Sequence, residues 1–290
     1  MKRILIVLTL VMLVMTVSIG SAAAQNSDGT LSVECTDGSS FNNGMEISVV
    51  QMRSGFTYTA TVLGLNGFDP VLAVIDNSNE GLCTDDSVEI ADYTASLPST
   101  GDVDGQSLNA QIRFDNGGDG FNDVRLVVGG YGNSAGEFLL LLEGMAVTDA
   151  DGQGDPFSVL ISEPMIESGI PVTAYAISVT GELDPLVALV DGDREYIEDD
   201  NGNLVACDDA GSTDLCWGDS EALNDSFVPR ANGDLLGGFQ YDSMLSLPLN
   251  EDMAGMYFNF VVSSYNQSTY GDYVMAFHIG IGESAGGSNK

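Results

Sequence analysis

Phe68-Asp69-Pro70-Val71-Leu72-Ala73-Val74-Ile75-Asp76 and Leu183-Asp184-Pro185-Leu186-Val187-Ala188-Leu189-Val190-Asp191 are two versions of one segment. In each, an Asp-Pro pair leads into five apolar residues and an Asp closes the run. Proline fixes φ and lacks an N–H, so it suits the first residue of a strand. A short run that is apolar at every position reads as a strand buried on both faces. The likeness extends outward from this segment. Upstream, Tyr58-Thr59-Ala60-Thr61-Val62 parallels Tyr175-Ala176-Ile177-Ser178-Val179. Downstream, Cys83-Thr84-Asp85-Asp86 parallels Cys207-Asp208-Asp209, and Leu126-Val127-Val128-Gly129-Gly130-Tyr131 parallels Phe260-Val261-Val262-Ser263-Ser264-Tyr265. Each half then closes on a glycine and an apolar strand, Gly136 to Leu142 and Gly271 to Ile279. The order is the same in both halves, which marks an internal duplication. The offset grows from 115 at Asp69/Asp184 to 134 at Tyr131/Tyr265, so the second copy is about 19 residues longer. Much of the excess is the acidic stretch Asp191 to Trp217, and insertions of this kind belong in surface loops.

The segments Phe56–Val62, Val71–Ile75, Leu108–Phe114, Val124–Val128 and Phe138–Leu142 are short and rich in Val, Ile, Phe, Tyr and Thr. Gly, Asn, Asp and Ser clusters separate them, which is the pattern of strands and turns. Val71–Ile75 and Phe138–Leu142 are expected to be central strands, apolar on both faces. No amphipathic helix is expected, beyond one short turn over Ser220 to Asn224. The expected fold is all-β: two tandem jelly-roll-like β-sandwiches over residues 25–147 and 156–282. A polar linker, Thr148 to Asp155, joins them, and a polar tail follows from residue 283.

The N-terminus reads as an export signal. Met1-Lys2-Arg3 is a short positive region, Ile4 to Ile19 is almost wholly apolar, and Ala22 and Ala24 stand at the positions a signal peptidase requires. The apolar run, roughly 16 residues, is shorter than the ~20 of a spanning helix. Cleavage after Ala24 leaves about 266 residues, six of them basic against 43 acidic, a net charge near −37. That balance excludes nucleic acid and anionic lipid as partners, because neutralising phosphate takes a Lys/Arg surface. No membrane insertion is expected once the signal is removed. Two carboxylates ~4 Å apart repel by roughly 4 kcal/mol at an effective dielectric of 20. Bound divalent cations, high salt or spreading over a large surface offsets such repulsion.

Four cysteines in an exported chain read as two disulfides, and pairing within each copy gives Cys35–Cys83 and Cys207–Cys216. Candidate calcium ligands are Asp85 and Asp86 in one copy and Asp208 and Asp209 in the other, since calcium takes six to eight oxygens on irregular backbone. Glu195, Glu198, Asp199 and Asp200 add acidic density to the second. Asp115 to Asp123 and Asp149 to Gly152 are acidic, Gly-containing stretches that lack an EF-hand's full pattern. Asp69 and Asp184 are expected to accept bonds from nearby backbone N–H groups. The single histidine, His278, sits in the last apolar run with no nucleophile motif beside it. The lone tryptophan, Trp217, is a candidate ligand-stacking residue, or else it covers the disulfide.

The Tyr-x-x-x-Val, Phe-Asp-Pro-Val-Leu, Asp-Asp, Val-Val-Gly-Gly-Tyr order resembles the bacterial pre-peptidase C-terminal (PPC) domain, over most of residues 45–144 and more loosely over 157–280. Ser263-Ser264 in place of the glycine pair and the acidic insertion depart from the family pattern. The resemblance implies a jelly-roll sandwich, a non-catalytic accessory role, an association with calcium and binding to extracellular polymers. The expected function is therefore a secreted, non-enzymatic binding or structural protein that attaches to an extracellular or cell-envelope polymer or to a protein partner. Two weak sites on a short linker would add avidity. The alternatives are a self-associating surface-layer or filament component, and a glycoside hydrolase using paired carboxylates.

Overall fold

The computed structural model describes residues 25–53, 55–75, 80–86, 93–103, 109–115, 122–149, 152–199, 201–209, 213–216 and 223–282. The expected signal segment, Trp217, Asp200, the middle of the 115–123 stretch and the tail lie outside them.

The first copy forms β1 (Leu31–Cys35), β2 (Ser40–Met52), β3 (Thr57–Leu65), β4 (Pro70–Ile75), β5 (Glu80–Thr84), β6 (Ala95–Leu97), β7 (Gly101–Val103), β8 (Ala110–Asp115), β9 (Asn122–Gly130) and β10 (Gly136–Val147). The second forms β11 (Phe157–Leu160), the helix α1 (Glu163–Ser168), β12 (Val172–Ser178), β13 (Pro185–Val190), β14 (Ala206–Cys207), β15 (Phe227–Pro229), β16 (Leu235–Gly237), β17 (Ser243–Leu247), β18 (Tyr257–Ser264) and β19 (Gly271–Ile281). The fold is the all-β sandwich the alternation and turns predict. The short helix was not expected, yet its punctuation is plain: Ser162 before it, Pro164 in its first turn and Gly169 after it in the left-handed region at φ 70°. The turn expected over Ser220 to Asn224 lies mostly outside the described residues.

The two copies share their sheets. A nine-stranded sheet runs β1-β5-β4-β9-β2-β11-β18-β13-β14, and a six-stranded sheet runs β17-β12-β19-β10-β3-β8. The junctions β2–β11 and β10–β19 join one copy to the other. Pro70 pairs with Gly130 as Pro185 pairs with Ser264, so β4 and β9 correspond to β13 and β18. Ile47 lies opposite Leu126 and Phe157 opposite the corresponding Phe260, so Ser48 corresponds to Ser158, and these two pair with each other. In the other sheet Leu141 pairs with Ala276, each five residues past its copy's glycine. Two such self-pairs define a pseudo-twofold axis through both sheets. The molecule has the organisation of a symmetric dimer written as one chain.

This frame corrects one sequence parallel. Thr61 lies opposite Leu141, and Tyr175 lies opposite Ala276, so Tyr175 corresponds to Thr61 and not to Tyr58. Tyr58 enters the core between the two large sheets, whereas Tyr175 enters a second core on the far side of the six-stranded sheet. A strand apolar on both faces carries no alternation to fix its register, and an odd shift reverses the face.

That second core is closed by a third layer, a four-stranded sheet of order β16-β15-β6-β7. The middle sheet is therefore buried on both sides: Phe138, Leu140 and Leu142 of β10 face one core, Leu139 and Leu141 the other. Each such side chain contributes about 1.5–3 kcal/mol on burial. Phe277 of β19 sits edge-on to both Phe157 and Phe260, 5.6 and 5.4 Å between ring centres, tying the two large sheets together within the second copy.

The disulfides are Cys35–Cys83 and Cys207–Cys216, the pairing read from the sequence. The first clips β1 to β5. The second ties β14 of the nine-stranded sheet to Cys216, which bridges Leu245 of β17 in the six-stranded sheet. The 148–155 stretch is tied down at its C-terminal half: Gln153 pairs with Ser263, the Gly154 N–H donates to Val262, and Asp155 is ion-paired with Arg53 at 3.3 Å. Among the described residues no helix is long and apolar enough to cross a membrane. The disulfides suit an oxidising compartment.

Candidate functional site

Each copy carries the same acidic end. The β3–β4 connection brings Asp69 beside Asp85 and Asp86, which follow β5; the β12–β13 connection brings Asp184 beside Asp208 and Asp209, which follow β14. Burial is the first cause, and the two neighbouring charges the second, that pushes the Asp69 and Asp184 carboxyls above their ordinary value. One oxygen of each, Oδ1, is buried and has no hydrogen-bond partner. The expectation that N–H groups would satisfy these carboxylates is corrected here. The bond runs to the backbone instead: the Tyr131 N–H donates to the Asp69 carbonyl at 2.8 Å, and the Tyr265 N–H to the Asp184 carbonyl at 2.9 Å. Both tyrosines open tight turns with left-handed residues, Gly132 and Asn133 in one and Asn266 and Gln267 in the other. Their rings are 62% and 42% exposed. An orphaned buried carboxylate oxygen next to a pair of further carboxylates is the arrangement a hard cation relieves. Against this, among the described residues no three acidic, His or Cys side chains gather closely enough to enclose an ion.

The acidic insertion folds onto the protein rather than standing free. Asp191 Oδ1 accepts the N–H groups of Asp193 and Glu195, and Asp199 Oδ1 accepts those of Asn201 and Asn203. These are Asx-capped turns. The Asn203 N–H leads the causes that hold Asp199 below its usual range. Between the turns Tyr196 packs on Ala188, Val190 and Val261 of the outer sheet face, its hydroxyl 2.8 Å from Ser263 Oγ.

His278 is engaged in a way the sequence did not reveal. Its Nδ1 is 2.9 Å from Ser99 Oγ and its Nε2 is 3.2 Å from Glu137 Oε2, while the Tyr175 hydroxyl donates to Ser99 Oγ at 2.7 Å. Burial pushes the ring's pKa down, and Glu137 opposes this. A neutral ring with hydrogen on Nε2 satisfies the whole chain, Tyr175 to Ser99 to His278 to Glu137. Ser99 belongs to the β6–β7 turn of the first copy; Tyr175 and His278 belong to the second. The reciprocal contact is at the other turn: Arg230 Nε lies 3.2 Å from Glu143 Oε2, and the Ala231 N–H donates to Glu143. Glu143 stands seven residues past Gly136 as His278 stands seven past Gly271. Each copy thus extends a hairpin arm over the axis and fastens it to the other copy. A cavity of about 220 Å³, lined by Phe56, Glu143, Arg230, Asp272 and Tyr273 among others, lies beneath the second arm.

No family model matches the chain, and no curated protein matches it. Among solved structures, the N-terminal CBM22-1–CBM22-2 tandem domain of Xyn10C from Paenibacillus barcinonensis aligns over 79% of this chain and 80% of that one, at 10% identity and a TM-score of 0.17, a similarity too low to carry a fold or a function.

Proposed function

We propose that the chain is an exported, non-catalytic binding and structural protein, built from two PPC-like copies that share their sheets and stiffened by calcium at its two acidic ends, that attaches to an extracellular or cell-envelope polymer or protein. The observation that supports this best is the repetition, at equivalent places in both copies, of an orphaned Asp oxygen, an Asp pair and an exposed tyrosine. An unsatisfied buried oxygen costs stability, and both copies carry it although the residues around it differ. Asp69 with Asp85 and Asp86, and Asp184 with Asp208 and Asp209, are the residues that would hold the ion. When bound it would neutralise mutual repulsion and cross-brace the β3–β4 and β12–β13 connections to the ends of β5 and β14.

The test is thermal unfolding of residues 25–290 in EDTA, in millimolar Ca²⁺, and in NaCl of matched ionic strength. At 100 times its Kd a ligand adds about 2.7 kcal/mol, which for a protein of this size raises the midpoint by roughly 5–10 °C. Asp85→Asn with Asp86→Asn is expected to remove part of the gain, and Asp208→Asn with Asp209→Asn the rest. An equal rise in matched NaCl would make the acidic ends a screened surface and end the calcium reading.

A further inference from the structure

We infer that the outer face of the nine-stranded sheet, where the two copies meet, is a binding surface for a neutral, polyhydroxylated polymer chain; the inference rests on the reading of the protein as a binding protein and gives that reading a place and a ligand class. One continuous row of paired residues crosses the four central strands: Arg125 of β9, Ser48 of β2, Ser158 of β11 and Asn259 of β18. Alternation turns these side chains away from the core, because Ile47, Val49, Phe157, Val159, Phe258 and Phe260 on the same strands point into it. Three strand spacings make the row about 14 Å long, the reach of a short oligosaccharide.

Apolar clusters flank both ends of the row. Over the first copy, Leu31, Val33 and Phe41 pack on Val71, Ala73, Ile75 and Val127. Over the second, Tyr196 packs on Ala188, Val190 and Val261. Ile75 and Val190 are the next residues of the row on either side, beneath these flanks. The polar row therefore lies between two apolar flanks.

The two symmetry-related halves of the row differ, and the difference points to a ligand. In the first half the groups satisfy one another: Arg125 grips Glu46 through Nε and Nη2 at 3.1 and 2.8 Å, and the Ser48 hydroxyl donates to Glu46 at 3.0 Å. In the second half Pro156 occupies the position of Glu46, and Asn259 that of Arg125. Among the described residues nothing is hydrogen-bonded to the Ser158 hydroxyl or the Asn259 carboxamide. Ser158 is nonetheless only 9% exposed. The Ser158 hydroxyl is not among the fully buried unpartnered atoms and Asn259 is half-buried, so both groups are open to a bond from outside. At the rim, Tyr257 is 48% exposed and close enough to the ion pair for Glu46 to push its hydroxyl upward, after burial. The first copy has Asp123 at that place.

These groups select a chemistry. The Arg125–Glu46 pair is internally neutral. The open groups, a hydroxyl and a carboxamide, both donate and accept, which matches the alcohols of a sugar. The tyrosine face offers a platform for the C–H face of a sugar ring. A chain of net charge −35 repels anionic polymers from the same surface.

The experiment is native affinity electrophoresis of residues 25–290 in gels containing hydroxyethylcellulose, xylan or mannan as neutral probes, with alginate as the anionic control. Retardation by at least one neutral polymer is expected, insensitive to NaCl and absent with alginate. Tyr257→Ala and Asn259→Ala should each weaken it about tenfold or more with an unchanged melting midpoint, while Asp85→Asn with Asp86→Asn leaves it intact. Retardation that survives both of these variants overturns the site and leaves the binding reading standing. Absence of retardation by every neutral probe, or equal retardation by alginate, overturns the site and its ligand class. The calcium melting test uses no polymer, so its result is read separately.

Discussion

Asp155 accepts the Tyr58 hydroxyl at 2.7 Å and pairs with Arg53, all three buried. It sits where the chain passes from one copy to the other, so a single carboxylate fastens the crossover to β3 and to the end of β2. Removing one partner strands the other's charge, which costs about 3–5 kcal/mol. Asp155→Ala is expected to lose that much in urea unfolding. A second acid, Asp242, accepts the N–H groups of Ser178 and Phe239 at 2.8 and 2.7 Å. Burial outweighs those donors and pushes it up to about 7. A carboxyl raised in the folded state binds more protons there than unfolded, so its contribution is full below about pH 4 and is lost as pH rises toward 7. His278, pushed down, acts in the opposite direction and loses its contribution below about 6.5. The melting midpoint should therefore be higher near pH 6 than at pH 8, and Asp242→Asn should shrink that difference. Neither acid was legible as structural in the sequence: Asp155 ends a Gly-rich polar stretch, and Asp242 stands in a short turn after Phe239, Gln240 and Tyr241. For each, one deciding partner comes from far along the chain: Tyr58 for Asp155 and Ser178 for Asp242.

At the scale of elements, the strands that carry the duplication were legible because proline, the apolar run and the cysteine recur in order. β4, β13, β9 and β18 pair as their likeness requires. The cysteine pairing was legible for the same reason, since each partner lies within its own copy. The register of β3 against β12 was not, because both faces of the middle sheet are apolar. The hairpin arms were not either: three-residue strands carry too little pattern to show what they cover. Closing a loop over the 48-residue separation of Cys35–Cys83 is worth about 4 kcal/mol, and over the 9-residue separation of Cys207–Cys216 about 2.7 kcal/mol, on chain entropy. Cys35→Ser with Cys83→Ser should thus lower stability more than Cys207→Ser with Cys216→Ser, measured by denaturant unfolding of the two double variants.

For the whole molecule, nothing in the strand patterns signals that the copies share sheets, since a strand's own pattern does not name its neighbour. The ten paired positions of β10 and β19 and the crossed arms make separation expensive. Cutting an engineered protease site within residues 149–152 is expected to leave the halves together, eluting at the size of the intact chain, and to release them only in denaturant.

The axis through Ser48/Ser158 and Leu141/Ala276 has a geometric corollary. A half-turn about a line normal to the sheets reverses every strand, so β4 and β13 run in opposite directions and the Asp69 and Asp184 ends face away from each other. With the two ends on opposite edges of the sheets, one flat surface does not meet both. Under the binding reading, whatever the two ends took would be held apart by the body between them, so the duplication would space two partners and not double the grip on one.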